Sequence, residues 1–479
     1  MRYGRERRAL GRVGRTLMAW RQRVVIIGGG FAGVAAAKAL KNERVDVLLL
    51  DRQNHHLFQP LLYQVATCAL SAAEIAFPIR HIFARQPNTE VVFTEVTGIN
   101  LKARSVETTS GPIDYHFLII AAGAETNFYG HKDWAEAAPG LKTLDEALEI
   151  RRKVLLALEL AEQETDPARR RELLTFCVIG GGPTGVELAG ALIELSRGLV
   201  RRDYRHIDPS EISVRLIEGG PAVLRTMTES MQVSARRQLE SLGVIVHTGS
   251  RVVSITSDSL GLIDQDGTPQ TIPAATILWA AGVRAVPLTA TLGVPLDPGG
   301  RVPVTPSLNI PGYDEVFCAG DVAACVDAKG VNVPGVAPAA MQMGKFAAQQ
   351  IVRRLQGMEV RPFVYRDKGS LATIGKRRAV AQFRHSRFSG VIAWYLWLVV
   401  HIMFLIGFRN RLIVLTQWVW QYVTSRGGAR IITGISRGHL EWPAQPRRLG
   451  RIPRRGGAPE PSEAEPRVVQ ATASGGPGG

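Results

Sequence analysis

Gly28-Gly29-Gly30-Phe31-Ala32-Gly33 and Gly180-Gly181-Gly182-Pro183-Thr184-Gly185 are two loops of the kind that cradle a dinucleotide pyrophosphate. In such a loop the first glycine permits a tight turn and the second leaves room for phosphate. The third lets helix and strand pack closely, and the helix start offers unpaired N–H groups to the anion. Gly28, Gly30 and Gly33 are the candidate contacts of the first site, and Gly180, Gly182 and Gly185 those of the second. One loop holds one nucleotide. Two in one chain point to electrons passing between two cofactors.

Each loop needs an acid for the adenosine ribose. Val45-Asp46-Val47-Leu48-Leu49-Leu50 reads as a strand that ends at Asp51, 23 positions after Gly28 and close to the expected spacing. In the second unit the acid arrives late. Arg215-Leu216-Ile217 leads into Glu218, 38 positions after Gly180, with residues 194–210 reading as a lengthened helix and a loop. A carboxylate there accepts from a 2′-hydroxyl and repels a 2′-phosphate, which favours NADH over NADPH. Glu187 follows the second loop on the same helix. It either favours the helix dipole or acts at the nicotinamide end, in cofactor ordering or quinone protonation.

Other small-residue turns frame the two sites. Ile119-Ile120-Ala121-Ala122-Gly123 and Ile277-Leu278-Trp279-Ala280-Ala281-Gly282 are strands followed by close-approach turns, and they mirror each other. Gly123 and Gly282 are therefore candidate cofactor neighbours. Val316-Phe317-Cys318-Ala319-Gly320 leads to Asp321, which is placed to reach the ribityl or pyrophosphate part of a flavin, to cap a helix over 322–325, or to do both.

The elements that hold these residues imply an α/β protein of two Rossmann-like nucleotide-binding domains, the second inserted into the first. The expected boundaries are 23–160 with 295–350 for the first and 165–290 for the second. A chain of 479 residues, 46% apolar, can bury both cores. Cys68, Cys177, Cys318 and Cys325 are scattered and form no CxxC pair, against a zinc site, a dithiol centre or a disulfide scaffold; no metal is expected. Residues 1–22 read as a basic tail and 431–479 as a disordered one.

The net charge of +16 is concentrated. Residues 361–430 carry twelve Lys or Arg against one acid, Asp367. No nucleic-acid module accompanies them, so no nucleic acid partner is expected. Their neighbours are apolar stretches with Trp and Tyr, which favour an anionic lipid surface. Residues 388–408 form a 21-residue window with no formal charge. Two amphipathic helices lying on the membrane are the favoured reading. A single span and a dimer interface stay open.

Three further stretches carry a resemblance. They are Asn54-His55-His56-Leu57-Phe58-Gln59-Pro60-Leu61-Leu62-Tyr63-Gln64-Val65-Ala66-Thr67, Ala372-Thr373-Ile374-Gly375-Lys376, and Ala393-Trp394-Tyr395-Leu396-Trp397-Leu398 with Gly407-Phe408-Arg409-Asn410-Arg411. With the second glycine loop they make the chain similar to type II NADH:quinone oxidoreductases, the non-proton-pumping NADH dehydrogenases, from about residue 22 to 430.

The resemblance implies the flavoprotein disulfide reductase fold with C-terminal amphipathic membrane-anchoring helices at 361–430. It implies non-covalent FAD at the first loop, touched by Gly28, Gly30, Gly33, Asp51, Asp321 and the stretch ending at Thr67. NADH is the substrate at the second loop, with Glu187 and Glu218. Quinone is the acceptor, near Gln342 and Lys376, and Pro338 stands where many members carry glutamine. It further implies a peripheral or monotopic protein on the cytoplasmic face of the plasma membrane, with an organellar membrane and a homodimer both open. A sulfide:quinone oxidoreductase and a soluble NADH-dependent ferredoxin reductase share the two-domain logic. The first would want paired cysteines beside the flavin, and the second does not need residues 388–423. A membrane adaptor that only binds nucleotide is the non-enzymatic alternative.

Overall fold

The computed structural model describes residues 21–405, 408–424 and 430–432. The expectations for the basic tail before residue 21 and for the segment after 432 lie outside the described residues.

Two sheets dominate. The first is six-stranded, in the order Asn309–Ile310, Tyr313–Cys318, Phe117–Ile120, Gln22–Ile27, Val45–Asp51 and Thr89–Phe93. Its parallel centre is closed on both faces, and Val24, Val25 and Ile26 have no exposed surface. That burial is why the strand reads as a continuous apolar run rather than an alternation. The second sheet is four-stranded and parallel, in the order Val244–Thr248, Ser213–Glu218, Thr175–Ile179 and Thr276–Trp279. In both sheets the glycine-loop strand lies between the acid-ended strand and the strand that runs into a small-residue turn. An antiparallel ribbon, Ala124–Thr126 against Val283–Ala285, joins the two units.

The late arrival of Glu218 has a simple cause. The helix after the first loop is Phe31–Ala39, nine residues, whereas that after the second is Pro183–Asp203, 21 residues. The extra turns add chain without moving the strand that follows.

The C-terminal region is a three-stranded antiparallel sheet, Ser370–Gly375, Arg378–Gln382 and Arg387–Ser389, followed by helices Val391–Phe404 and Phe408–Thr424. Its sheet packs on the Pro183–Asp203 helix so closely that a Cβ on Gly190 would collide with the Ile374 carbonyl oxygen. The uncharged window at 388–408 is therefore not one helix. It begins in a strand, turns at Gly390 with φ +67°, and continues as a 14-residue helix. Such a helix is about 21 Å long, short of the roughly 30 Å hydrocarbon core. Among the described residues no helix is long and apolar enough to cross a membrane.

One local expectation is overturned. No helix begins at Val322. Ala323–Ala324 instead pairs in parallel with Val302–Pro303, so Asp321 is not a helix cap. The left-handed turn at Gly320 sends the chain directly into that pairing.

Candidate active site

The two glycine loops are built alike. A Cβ on Gly28 would collide with the Ala121 carbonyl, and one on Gly180 with the Ala280 carbonyl; both residues have positive φ. A Cβ on Gly33 would strike the Gly28 oxygen, and one on Gly185 the Gly180 oxygen. By contrast a Cβ on Gly30 or Gly182 meets nothing within 4 Å. Open space therefore stands at the middle glycine of each loop, where a pyrophosphate would lie. Neither following helix has a side-chain cap or an acid in its first turn. Both starts are left to an anion, and the residues present fit a dinucleotide at each loop.

The acids repeat the symmetry. Asp51 accepts from the Gly29 N–H at 2.5 Å and the Gln53 N–H at 2.6 Å. Glu218 accepts from the Gly181 and Gly220 N–H groups, both at 2.6 Å. Each carboxylate thus ties the loop to the strand end and keeps lone pairs for a ribose. Burial pushes the Asp51 carboxyl up, against the two N–H donors and the charges of Arg52 and His55.

Around the first loop, His56 is buried and its Nδ1 lies 2.9 Å from the Gly29 carbonyl oxygen. Since that oxygen only accepts, Nδ1 carries the hydrogen and Nε2 is a buried acceptor without a partner among the described residues. Thr67 is buried with its hydroxyl donating to the Tyr63 carbonyl at 2.8 Å. Asp321 pairs with Lys142 at 3.6 Å. Gly123 has φ +75° and open space at its Cβ position, whereas Gly282 lies under Tyr129, whose hydroxyl donates to the Ala281 carbonyl at 3.0 Å.

Glu187 is the point where distant segments meet. It sits in the first turns of the Pro183–Asp203 helix, 9% exposed, and accepts from the Thr373 N–H at 3.3 Å. Burial pushes its carboxyl up to about 8, opposed by the Thr373 N–H and by the neighbouring Trp397 indole. That indole N–H lies close enough to favour the charged form, yet it completes no hydrogen bond among the described residues. Sequence reasoning names both Thr373 and Trp397 only as parts of recurring stretches. Their convergence on Glu187 is a tertiary fact with no local signal.

The other two candidates are placed differently. Lys376 is exposed in the turn between two strands, and its N–H donates to Glu194 at 2.7 Å. Glu194 lies seven residues beyond Glu187 on one helix, about 10 Å along its axis. Burial raises the Glu194 carboxyl, while that N–H and the charges of Arg378 and Lys376 lower it. The Gln342 amide is occupied by the Arg366 backbone, donating to its oxygen and accepting from its nitrogen, both at 3.0 Å. Gln342 thereby fastens the connecting segment to the Ala337–Leu355 helix. Pro338 stands in the first turn of that helix, where its missing N–H costs nothing.

The C-terminal helices are fastened to the first domain through polar side chains. The Trp418 indole donates to Gln64 Oε1 at 2.9 Å, and Gln417 donates to Glu74. On Val391–Phe404, Ala393, Trp394 and Trp397 face the protein, while Ile392, Tyr395, Val399 and Met403 are exposed. The exposed set follows a helical spacing and forms one apolar face. Leu412, Leu415 and Val419 are exposed on the last helix. All four cysteines are free and buried, and burial pushes the Cys68 thiol up to about 11.

Comparison with known proteins agrees with this arrangement. A family model described as pyridine nucleotide-disulphide oxidoreductase matches residues 22–344, and one described as the NDH2 C-terminal domain matches residues 368–427. The chain is 44% identical over 426 residues to the type II NADH:quinone oxidoreductase Ndh of Mycobacterium tuberculosis, covering 86% of this chain and 90% of that protein. Among solved structures it resembles NDH2 from Plasmodium falciparum in complex with NADH, with a TM-score of 0.79 at 20% identity, covering 86% of this chain and all of that one. The sulfide:quinone oxidoreductase of Aquifex aeolicus is similar at a TM-score of 0.63 and 21% identity, covering 85% and 96%. At such identities the structures speak for the fold alone. The close sequence relative and the two family models decide further: this chain belongs to the type II NADH:quinone oxidoreductases.

Proposed function

We propose that this chain takes two electrons from NADH at the second glycine loop and delivers them to a membrane quinone beside its C-terminal helices. FAD held at the first loop, against Gly28, Gly30, Gly33 and Asp51, would supply the two-electron relay between them. The observation that carries this reading is the convergence at Glu187. A helix that starts at the nucleotide loop, a strand of the C-terminal sheet and a lipid-side helix meet at one buried carboxyl. Held up near 8, Glu187 keeps a proton at neutral pH and is a donor for a quinone oxygen as it gains electrons.

Glu218 supports NADH rather than NADPH by its charge. Glu218→Gln removes the charge and keeps the side-chain length, with one acceptor oxygen left for one of the two backbone donors, Gly181 or Gly220. The expected result is a roughly tenfold narrowing of the NADH to NADPH ratio of kcat/KM, about 1.4 kcal/mol of discrimination. An unchanged ratio removes the assignment.

The exposed apolar face, in a segment where residues 361–430 carry twelve Lys or Arg, supports a peripheral or monotopic seat on an anionic lipid surface, and the family resemblance suggests the cytoplasmic face of the plasma membrane. Ile392→Asp with Val399→Asp should cut co-sedimentation with anionic vesicles at least fivefold without changing flavin content. Unchanged recovery, with a dimer by analytical ultracentrifugation that the double variant abolishes, would assign the face to a homodimer instead. The test of the function is an anaerobic NADH titration followed by a short-chain quinone. Flavin absorbance should bleach and then recover. Bleaching by sulfide with no response to NADH would turn the assignment to the sulfide-oxidising reaction.

A further inference from the structure

A short stretch of chain links the seats of the two glycine loops. It starts at Ala121, whose carbonyl abuts Gly28 in the first loop. It ends at Tyr129, whose hydroxyl donates to the Ala281 carbonyl at 3.0 Å. Ala281 follows Ala280, whose own carbonyl abuts Gly180 in the second loop. Residues 121–129 therefore form a strut from one nucleotide loop to the other.

The middle of the strut is weak by itself. Ala124–Thr126 pairs with Val283–Ala285 over three residues, and Val283 and Arg284 are exposed. A two-stranded ribbon of that kind is marginal in water and cannot fix the angle between two domains. Three bonds just beyond it supply the restraint. The Asn127 N–H donates to the Gly282 carbonyl at 3.1 Å. The buried Trp279 indole, packed against Phe128 and Trp134, donates to the Asn127 carbonyl at 2.9 Å. The Tyr129 hydroxyl completes the set at Ala281.

Tyr129 is held in place against its own backbone preference. Its φ is +51°, a left-handed conformation that a bulky residue rarely adopts. The residue is 64% exposed, so burial of its ring does not offset the strain. The Asn127 side chain enforces the turn, with Oδ1 accepting from the Tyr129 N–H at 2.9 Å. Such strain persists only where the surrounding bonds over-determine it. What it secures here is one hydroxyl, set over the Gly282 backbone.

Building on the electron-transfer reading above, we infer that Tyr129 is a positioning residue for hydride transfer: its hydroxyl fastens the 121–129 strut to the 280–282 turn and so sets the spacing of the two nucleotide loops. In that transfer NADH gives up one hydrogen with both electrons and leaves as NAD⁺, and the flavin accepts them. The rate depends steeply on how closely donor and acceptor are held, and a misplacement of about 1 Å costs about 100-fold. Tyr129 acts on that spacing through the backbone and not through contact with either nucleotide.

The test compares FAD-loaded wild type, Tyr129→Phe, Asn127→Ala and Asn127→Asp. Phenylalanine keeps the ring and loses the bond to Ala281. Alanine at 127 releases the left-handed turn, and aspartate there keeps the acceptor. Anaerobic stopped flow at saturating NADH reads flavin bleaching, and hydrogen exchange without added NADH reads the amides of 124–126 and 283–285. Tyr129→Phe and Asn127→Ala should bleach at least fivefold more slowly, with a larger isotope effect from NADH deuterated at the transferred position. Their ribbon amides should exchange at least threefold faster, and their Kd for NAD⁺ should stay within twofold of wild type. Asn127→Asp should stay within twofold of wild type throughout. Unchanged bleaching in both disrupted variants overturns the inference even if exchange quickens, because the bonds would then only hold the fold together. A weaker Kd for NAD⁺ with unchanged exchange also overturns it, because Tyr129 would then be touching the nucleotide. The electron-transfer reading fails separately, if fully loaded wild type is not bleached by NADH at all.

Discussion

Gly190→Ala should cost this protein about 3–5 kcal/mol of stability, the largest loss expected from adding a single methyl group anywhere on the long helix. The added Cβ would strike the Ile374 carbonyl oxygen, and a backbone atom in a paired strand has no rotamer into which to retreat. Ser370–Gly375 would have to lift from the helix. Lifting takes Thr373 away from Glu187 and Lys376 away from Glu194. Thermal unfolding and limited proteolysis between residues 370 and 405 measure the effect. A melting temperature equal to wild type, with the sheet still protected, would show that helix and sheet can separate without cost.

Glu187→Gln should change the pH dependence of stability more than any other substitution of a carboxyl group. The folded carboxyl sits near 8 against an ordinary 4.5 in the unfolded chain. Between those values the folded state binds more protons, so stability is greatest below about 4.5, falls as pH rises and levels off above about 8. The gap sets a ceiling of about 5 kcal/mol on the loss. Glutamine carries no charge at either end and removes that slope. Urea midpoints at pH 6 and pH 9 should differ clearly in wild type and little in the variant, with the variant the more stable of the two at pH 9. Quinone reduction should fall about 100-fold, since a proton donor has been lost. Parallel midpoints in the two proteins would place the Glu187 titration at its ordinary value.

How much of this was legible in the chain depends on how local each cause is. Gly33 and Gly185 are dictated by sterics within a few residues, and Gly28 and Gly180 by the positive φ of the same turns, so their spacing alone points to the loops. Glu218 was legible despite its distance because lengthening a helix changes the count and not the order of elements. The window at 388–408 leaves a single span open beside the favoured two helices for the opposite reason. Hydropathy sees an uncharged run, but not the left-handed turn at Gly390 that cuts it. Asp321 misleads likewise, since a pairing with Val302–Pro303 wins over the local helix signal of Val322 and its neighbours. The meeting of Glu187, Thr373 and Trp397 has no local cause at all. Nor does the engagement of Gln342 by Arg366.

The bond from Trp418 to Gln64 gives the last helix a second consequence. Gln64 also donates to the Tyr63 hydroxyl, in the buried stretch that ends at Thr67. The last helix is thus pinned to a buried floor, which in the proposed function lies beneath the flavin while the helix faces lipid. Trimming the chain ahead of Trp418 to obtain a water-soluble enzyme would leave the Gln64 amide oxygen stranded and loosen that floor. On the proposed function, solubility and an undisturbed flavin site are coupled, and a detergent-free preparation is better sought by repainting the outer apolar face than by cutting the helix away.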